Sequence, residues 1–233
     1  MTLAFVTGGS RGLGLATAKG LRDKGNEVVL FATDSETLRI AASEIGAQYQ
    51  VINFLELDEA KRILEESLIR FGVPDILVLA HGVMSEKMSK TMRTTLTEWR
   101  RVFTVNLDSV FLCINVLAPG MAERRSGRVV VYSACLGRMS GPGNAGGLAP
   151  YRVSKAGVNA LVRNFAHETG LGARGILVDA MCPNHSRTDM GGPTAPRSVE
   201  EGSDTAIWLA TRNFEVGKDQ TGVLWEDRKI VPW

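Results

Sequence analysis

Leu3-Ala4-Phe5-Val6-Thr7-Gly8-Gly9-Ser10-Arg11-Gly12-Leu13-Gly14 is the stretch that decides the fold. An apolar run of strand length breaks directly into a glycine-rich turn, and helical periodicity follows from about Gly12 to Lys24. In such a strand–turn–helix unit the backbone N–H groups and the positive helix end converge on one point, where a pyrophosphate fits. Glycine lets the ligand approach the backbone closely. Turns of this kind also occur for structural reasons alone, so the stretch proposes a dinucleotide site without requiring one.

The same alternation runs outward along the chain. Further strands are predicted at Glu27–Ala32, Tyr49–Asn53, Ile76–Ala80, Arg128–Ser133, Ile176–Met181 and Val223–Trp225. Helices are predicted at Ser35–Ile45, Glu59–Phe71, Leu96–Met121 and Tyr151–Thr169. The strands are continuous Val/Ile/Leu runs, as expected where helices cover both faces of a sheet. With right-handed crossovers the result is an α/β fold, a single doubly wound Rossmann-like domain over residues 1–233 with a seven-stranded parallel sheet. The 233 residues, 44% hydrophobic, suffice for one substantial core, and no Pro- or Ser-rich linker divides them. Gly141–Gly147 reads as a glycine-rich loop.

Charge and cysteine content exclude several classes. The 27 basic and 25 acidic side chains are interspersed, for a net +2, which leaves no basic stripe of the kind that tracks nucleic acid. Cys113, Cys135 and Cys182 have neither CxxC spacing nor a disulfide pattern, so they read as reduced thiols, at least two of them buried, with no metal site. No apolar run is expected to reach bilayer-spanning length, and the strand at Leu3–Val6 leaves no room before it for a cleaved signal peptide. A cytoplasmic protein without membrane contact is expected.

Chemistry is suggested by Tyr151-Arg152-Val153-Ser154-Lys155. On a helix, residues four apart share a face, so the Lys155 ammonium is expected beside the Tyr151 phenol, favouring phenolate and making the tyrosine a better proton donor near neutral pH. At the end of the second strand, where an acid would bond the ribose of NAD, the chain reads Phe31-Ala32-Thr33-Asp34, with Ala32 at the acidic position. Arg11 has the donor fork for a 2′-phosphate, with Thr33 assisting, so NADP(H) is favoured over NAD(H). Asp34 has two readings, a helix N-cap or an acid that repels that phosphate.

With Thr7-Gly8-x-x-x-Gly12-x-Gly14, Asn106 and Tyr151-x-x-x-Lys155 in this order, the chain resembles the short-chain dehydrogenase/reductase family over essentially its whole length. Its tail, Arg187-Thr188-Asp189-Met190-Gly191-Gly192-Pro193 with Arg197 to Gly202, looks like members related to carbonyl reductases. The resemblance implies Tyr151 as proton donor to a carbonyl oxygen, Lys155 as holder of the nicotinamide ribose, and Asn106 as anchor for a water between lysine and solvent. It extends cofactor contacts to Gly8, Ser10, Gly12, Leu13, Gly14, Asn53, Phe54, Ala80, His81, Gly82, Pro183, Ser186 and Thr188. Thr188 would bond the carboxamide and Asn53 would face the adenine. A homodimer or homotetramer is implied as well.

Three departures accompany the match. The family's catalytic serine falls on Ala134, with Ser133 one place early and, by strand alternation, facing away unless a bulge turns it inward. Leu79-Ala80-His81-Gly82 stands where Asn-Asn-Ala-Gly is usual, and Asn184-His185 follows Pro183 in place of glycine and an apolar residue. Ser133 or His185 is the candidate substitute donor. The substrate side, with Ala134, Met84, His185, Met190, Leu136, Met139 and Leu148, is apolar enough for an uncharged carbonyl or alcohol, although the same residues could simply fill a core. Three functions follow: an NADP(H)-dependent oxidoreductase, a specialised biosynthetic member with His185 replacing the serine, or a nucleotide-binding regulatory protein without turnover.

Overall fold

Strand β1 (Leu3–Thr7) lies at the middle of the sheet because its apolar side chains are covered on both faces. The computed structural model describes residues 2–86, 90–141 and 146–233, so the part of the Gly141–Gly147 loop from 142 to 145 lies outside the described residues. Around β1 stand β2 (Glu27–Ala32), β3 (Gln48–Val51), β4 (Ile76–Leu79), β5 (Gly127–Tyr132), β6 (Ile176–Met181) and β7 (Leu224–Glu226). All run parallel, in the spatial order β3-β2-β1-β4-β5-β6-β7. An eighth strand, β8 (Lys229–Val231), pairs antiparallel with β7, so the sheet has eight strands and not seven. Its three half-exposed or exposed residues carry no apolar run, which is why periodicity does not reveal it.

Helices α1 (Gly12–Asp23), α2 (Ser35–Ile45) and α7 (Val199–Thr211) cover one face; α3 (Leu57–Phe71), α5 (Ser109–Arg124) and α6 (Ala149–Glu168) cover the other. Alternate β5 residues feed the two cores, Val130 and Tyr132 on the α1/α7 side, Val129 and Val131 on the α5/α6 side. Helix α7 was not anticipated from periodicity. It begins with a capping box in which Ser198 and Glu201 each accept from the other's backbone N–H.

The helix expected at Leu96–Met121 is divided. α4 (Leu96–Phe103) and α5 are joined by a π-helical turn at Thr104–Asp108. The whole run Leu96–Arg124, 29 residues, is long and apolar enough to cross a membrane, which corrects the expectation that no run reaches that length. Val110, Cys113, Leu117 and Met121 pack into the sheet, and this core role accounts for the composition.

A buried ion pair fastens the end of the sheet. Asp179 on β6 accepts from Arg212 Nη2 at 2.9 Å, Trp225 Nε1 at 3.0 Å and the Gly222 N–H at 3.1 Å. The Arg212 guanidinium lies 4.9 and 4.8 Å from the Trp208 and Trp225 ring centres. Burial pushes the Asp179 carboxyl up while Arg212 opposes it. Removing one partner strands the other, so Asp179→Asn is expected to lower stability by about 3 kcal/mol in urea unfolding at neutral pH. A loss below about 1 kcal/mol would mean that the guanidinium finds another partner or water.

Candidate nucleotide and catalytic site

The sheet's connections reverse direction between β1 and β4, and at their C-terminal ends a groove of about 1000 Å³ opens. In a doubly wound sheet this is where a ligand binds. The turn from β1 to α1 forms its floor. Gly8 has φ +66°, and a Cβ there would stand 2.9 Å from the His81 backbone; a Cβ on Gly14 would meet the Gly8 carbonyl oxygen at 2.1 Å. The turn can therefore fold tightly onto the end of β4 only with glycine at both places. No side chain caps the start of α1, and its first turn has no acidic residue, so the positive end faces the groove unneutralised.

Of the residues expected to contact a nucleotide, Gly8, Ser10, Arg11, Gly12, Leu13, Gly14, Thr33, Asn53, Phe54, Ala80, His81, Gly82, Tyr151, Lys155, Pro183 and Thr188 all border this groove. Ser186 does not; it is buried and donates to the Pro183 carbonyl at 3.0 Å. The groove also takes in Asp189, Val83 and Val105, which sequence reasoning missed. Asp189 holds Arg11 Nη1 at 3.0 Å across the groove, with both side chains largely exposed. Such a pair has no fixed sequence spacing that would announce it.

Asp34 caps α2, accepting from the Thr37 N–H at 2.9 Å and the Thr37 hydroxyl at 2.8 Å. These bonds hold its carboxyl below the ordinary range. Thr33 donates to the Ile52 carbonyl at 3.3 Å, and Asn53 accepts from the Leu55 N–H at 3.1 Å.

Deeper in, α6 presents Tyr151 and Lys155, both buried. Lys155 Nζ donates to the Tyr132 carbonyl at the end of β5, at 2.6 Å, and stands 6.0 Å from the Tyr151 ring centre. Burial lowers Lys155 to about 8. Burial also raises the Tyr151 phenol, helped by the nearby Cys182 and Cys135 sulfurs. This reverses the expected direction, because desolvation of the phenolate outweighs an ammonium at that distance. Asn106 rides the π turn: its Oδ1 accepts from the Val83 N–H at 2.8 Å, and its Nδ2 donates to the Val83 carbonyl at 2.9 Å and Ser154 Oγ at 3.1 Å. The amide thus fixes the β4–α4 segment through Val83 and ties it to α6 through Ser154. Asn106 Oδ1 and Lys155 Nζ nevertheless converge on Gly82, where a Cβ would lie 3.3 and 3.7 Å from them.

The substitute donors fare differently. Ser133 borders the groove, but its hydroxyl donates to Asn159 Oδ1 and approaches the Lys155 carbonyl at 3.5 Å, so it braces α6. Strand alternation continues through it to the α6 side. Ala134 is buried and extended and does not border the groove. His185 is exposed, outside the groove, with Nε2 2.7 Å from the Gly191 carbonyl, closing the loop after β6 on itself. Asn184 before it is left-handed (φ 57°), a conformation asparagine tolerates and glycine otherwise supplies. Of the expected substrate residues only Met190 borders the groove; Met84, Leu136 and Leu148 do not, and Met139 is exposed. Among the described residues no cluster of His, Cys, Asp or Glu could hold a metal.

His81 is the buried surprise. Its Nδ1 lies 2.5 Å from Thr7 Oγ1 and its Nε2 2.7 Å from Ser109 Oγ, while its ring stacks on Phe54 at 4.2 Å. Ser109 donates its own proton to the Val105 carbonyl at 2.6 Å. His81 Nε2–H must then be the donor to Ser109, and Thr7 the donor to Nδ1, a neutral imidazole. Burial, with Lys155 nearby, lowers His81 to about 3.

Residues 2–198 match the short chain dehydrogenase family. A 3-oxoacyl-[acyl-carrier-protein] reductase of Synechocystis is 33% identical over 194 residues, covering 81% of this chain and 75% of the relative. One from Staphylococcus aureus is 35% identical over 193 residues, covering 80% and 75%. In three dimensions a short chain dehydrogenase from Escherichia coli, solved in complex with NADPH, superposes with a TM-score of 0.85 over 98% of this chain and 97% of its own, at 20% identity.

The neutral His81 has a consequence in acid. Its folded pKa lies below the ordinary 6.5, so its contribution to stability is complete above about pH 6.5 and is lost as pH falls toward 3. Between those limits the wild type should lose up to about 1.4 kcal/mol per pH unit relative to His81→Gln. Urea midpoints measured from pH 7.5 to 4.5 check this; parallel curves would show that His81 protonates in place.

Proposed function

The chain belongs to the short-chain dehydrogenase/reductase family, and on that footing we propose that it is an NADP(H)-dependent oxidoreductase interconverting a ketone or aldehyde and an alcohol. The observation that carries this reading is the convergence of Tyr151, Lys155 and Gly82 at the deep end of a groove whose other end is an uncapped helix terminus. The groove fits a dinucleotide: glycine backbone and the start of α1 for the pyrophosphate, Arg11 for a 2′-phosphate, Lys155 for a ribose hydroxyl. When bound, the nicotinamide supplies or accepts the hydride. Tyr151 Oη gives its proton to the carbonyl oxygen as the alcohol forms, and takes it back in the reverse direction. A phenol whose proton affinity is raised by burial stays protonated at neutral pH, as a donor must. Lys155, fixed by the Tyr132 carbonyl, stabilises the phenolate left behind. The names of the relatives point to a ketone as substrate.

Arg11 favours NADP(H) here because Asp34 is committed to its cap and Ala32 carries no acid. Exposed apolar side chains on α4, α5 and α6, among them Leu96, Phe111 and Val153, supply a surface for self-association into a dimer or tetramer. A second reading is nucleotide binding without turnover, favoured by one observation: the serine position is Ala134, and the neighbouring Ser133 hydroxyl is engaged by α6.

Purified protein with NADPH and a panel of ketones, including 3-oxoacyl thioesters, should consume NADPH, and Tyr151→Phe should lower kcat by about two to four orders of magnitude with NADPH affinity kept. Tight NADPH binding with no consumption across the panel would favour the second reading. Arg11→Ala should weaken NADPH binding about tenfold while leaving NADH nearly unchanged; equal loss for both nucleotides would remove Arg11 from phosphate recognition.

A further inference from the structure

Two cysteines far apart in sequence meet where β5 and β6 end. Cys182 directly follows β6, and Cys135 opens the short helical turn after β5. The Cys182 sulfur accepts the Cys135 N–H at 3.0 Å and the Asn184 N–H at 3.3 Å, which brings the two cysteines together at the strand ends. Both main-chain donors bear on the Cys182 sulfur and stabilise the negative charge it develops as it attacks an oxidised neighbour. Access differs between them: Cys182 is 2% exposed, whereas Cys135 is only partly buried. One reachable thiol beside one sheltered thiol is the arrangement of an attacking and a resolving cysteine.

We propose that Cys135 and Cys182 form a redox-active pair, in which Cys135 is oxidised by a hydroperoxide and Cys182 resolves the product as an intramolecular disulfide. In the first step the Cys135 thiolate attacks a peroxide oxygen; the S–O bond forms, the O–O bond breaks, and the leaving alkoxide or hydroxide takes a proton. Cys135 sulfur is oxidised by two electrons to the sulfenic acid and the peroxide is reduced. Cys182 then attacks that sulfur; the S–S bond forms, the S–O bond breaks, and hydroxide leaves with the Cys182 proton as water. Two thiols and one hydroperoxide give one disulfide, one alcohol or water, and one further water.

The electrostatics agree with this order. The neighbouring Cys182 thiol draws Cys135 down against its partial burial, while Cys135 and burial push Cys182 up. Cys113 serves as an internal control, fully buried in the core with its thiol pushed up by burial. The pair also adjoins the chemistry, since charge on either sulfur raises the proton affinity of Tyr151. Oxidation replaces that dithiol with an uncharged disulfide.

The test uses the full chain with hydrogen peroxide at pH 7, followed by denaturing alkylation, intact mass and peptide mapping. The expected product is about 2 Da lighter, keeps one alkylatable thiol at Cys113, yields a linked Cys135–Cys182 peptide pair, and reverts with dithiothreitol. In Cys182→Ser, Cys135 should stop at a sulfenic acid that dimedone traps. In Cys135→Ser, oxidation of Cys182 should slow by at least about tenfold. Three intact thiols after treatment of the wild type, an intermolecular disulfide, or oxidation of Cys113 at the same rate would each overturn the proposal, and none depends on enzymatic activity.

Discussion

The hydrogen bond from Lys155 Nζ to the Tyr132 carbonyl is the constraint on which the site depends. A buried ammonium demands acceptors, and the last carbonyl of β5 is placed to provide one. The approach of α6 to the strand end is set around it. Ser133 bonds Asn159, Asn159 Nδ2 reaches the Gly137 carbonyl at 3.3 Å, and Gly137 packs so closely that a Cβ would stand 2.7 Å from the Lys155 carbonyl carbon. Tyr151, one turn earlier on the same helix, takes its depth from this seam.

A second set of contacts ties the glycine-rich turn to the opposite wall. Thr7 at the end of β1 accepts the Ala80 N–H at 3.2 Å and donates to His81; His81 donates to Ser109; Ser109 donates to the Val105 carbonyl within the π turn. The π turn also carries Asn106, whose amide clamps Val83 and Ser154. One continuous network therefore runs from the floor of the groove to α6. A π turn costs helical regularity, and here it carries two points of attachment, the Asn106 amide and the Val105 carbonyl.

Much of this was legible in the sequence. Apolar runs marked most of the strands from β1 to β7, and sixteen of the residues expected to contact a nucleotide border one groove. What escaped had physical reasons. β8 is only three residues long with none buried, and α7 is announced by Ser198-x-x-Glu201, a cap signal that hydrophobic periodicity does not weigh. The π turn escapes apolar periodicity, which continues through Val105 and on to Val110. His185 was placed near the reacting centre by its position after Pro183, but its ring closes the loop locally onto Gly191. The direction of the Tyr151 shift was misjudged because spacing reveals a neighbour and not the water excluded around both groups.

The Arg11–Asp189 pair bridges the two rims of the groove. Any anion that takes the guanidinium must take it from a carboxylate already there, so recognition at this rim is an exchange of counterions rather than a fresh neutralisation. Added salt weakens the incumbent as well as the newcomer, and the ionic-strength slope of that contact is correspondingly shallow.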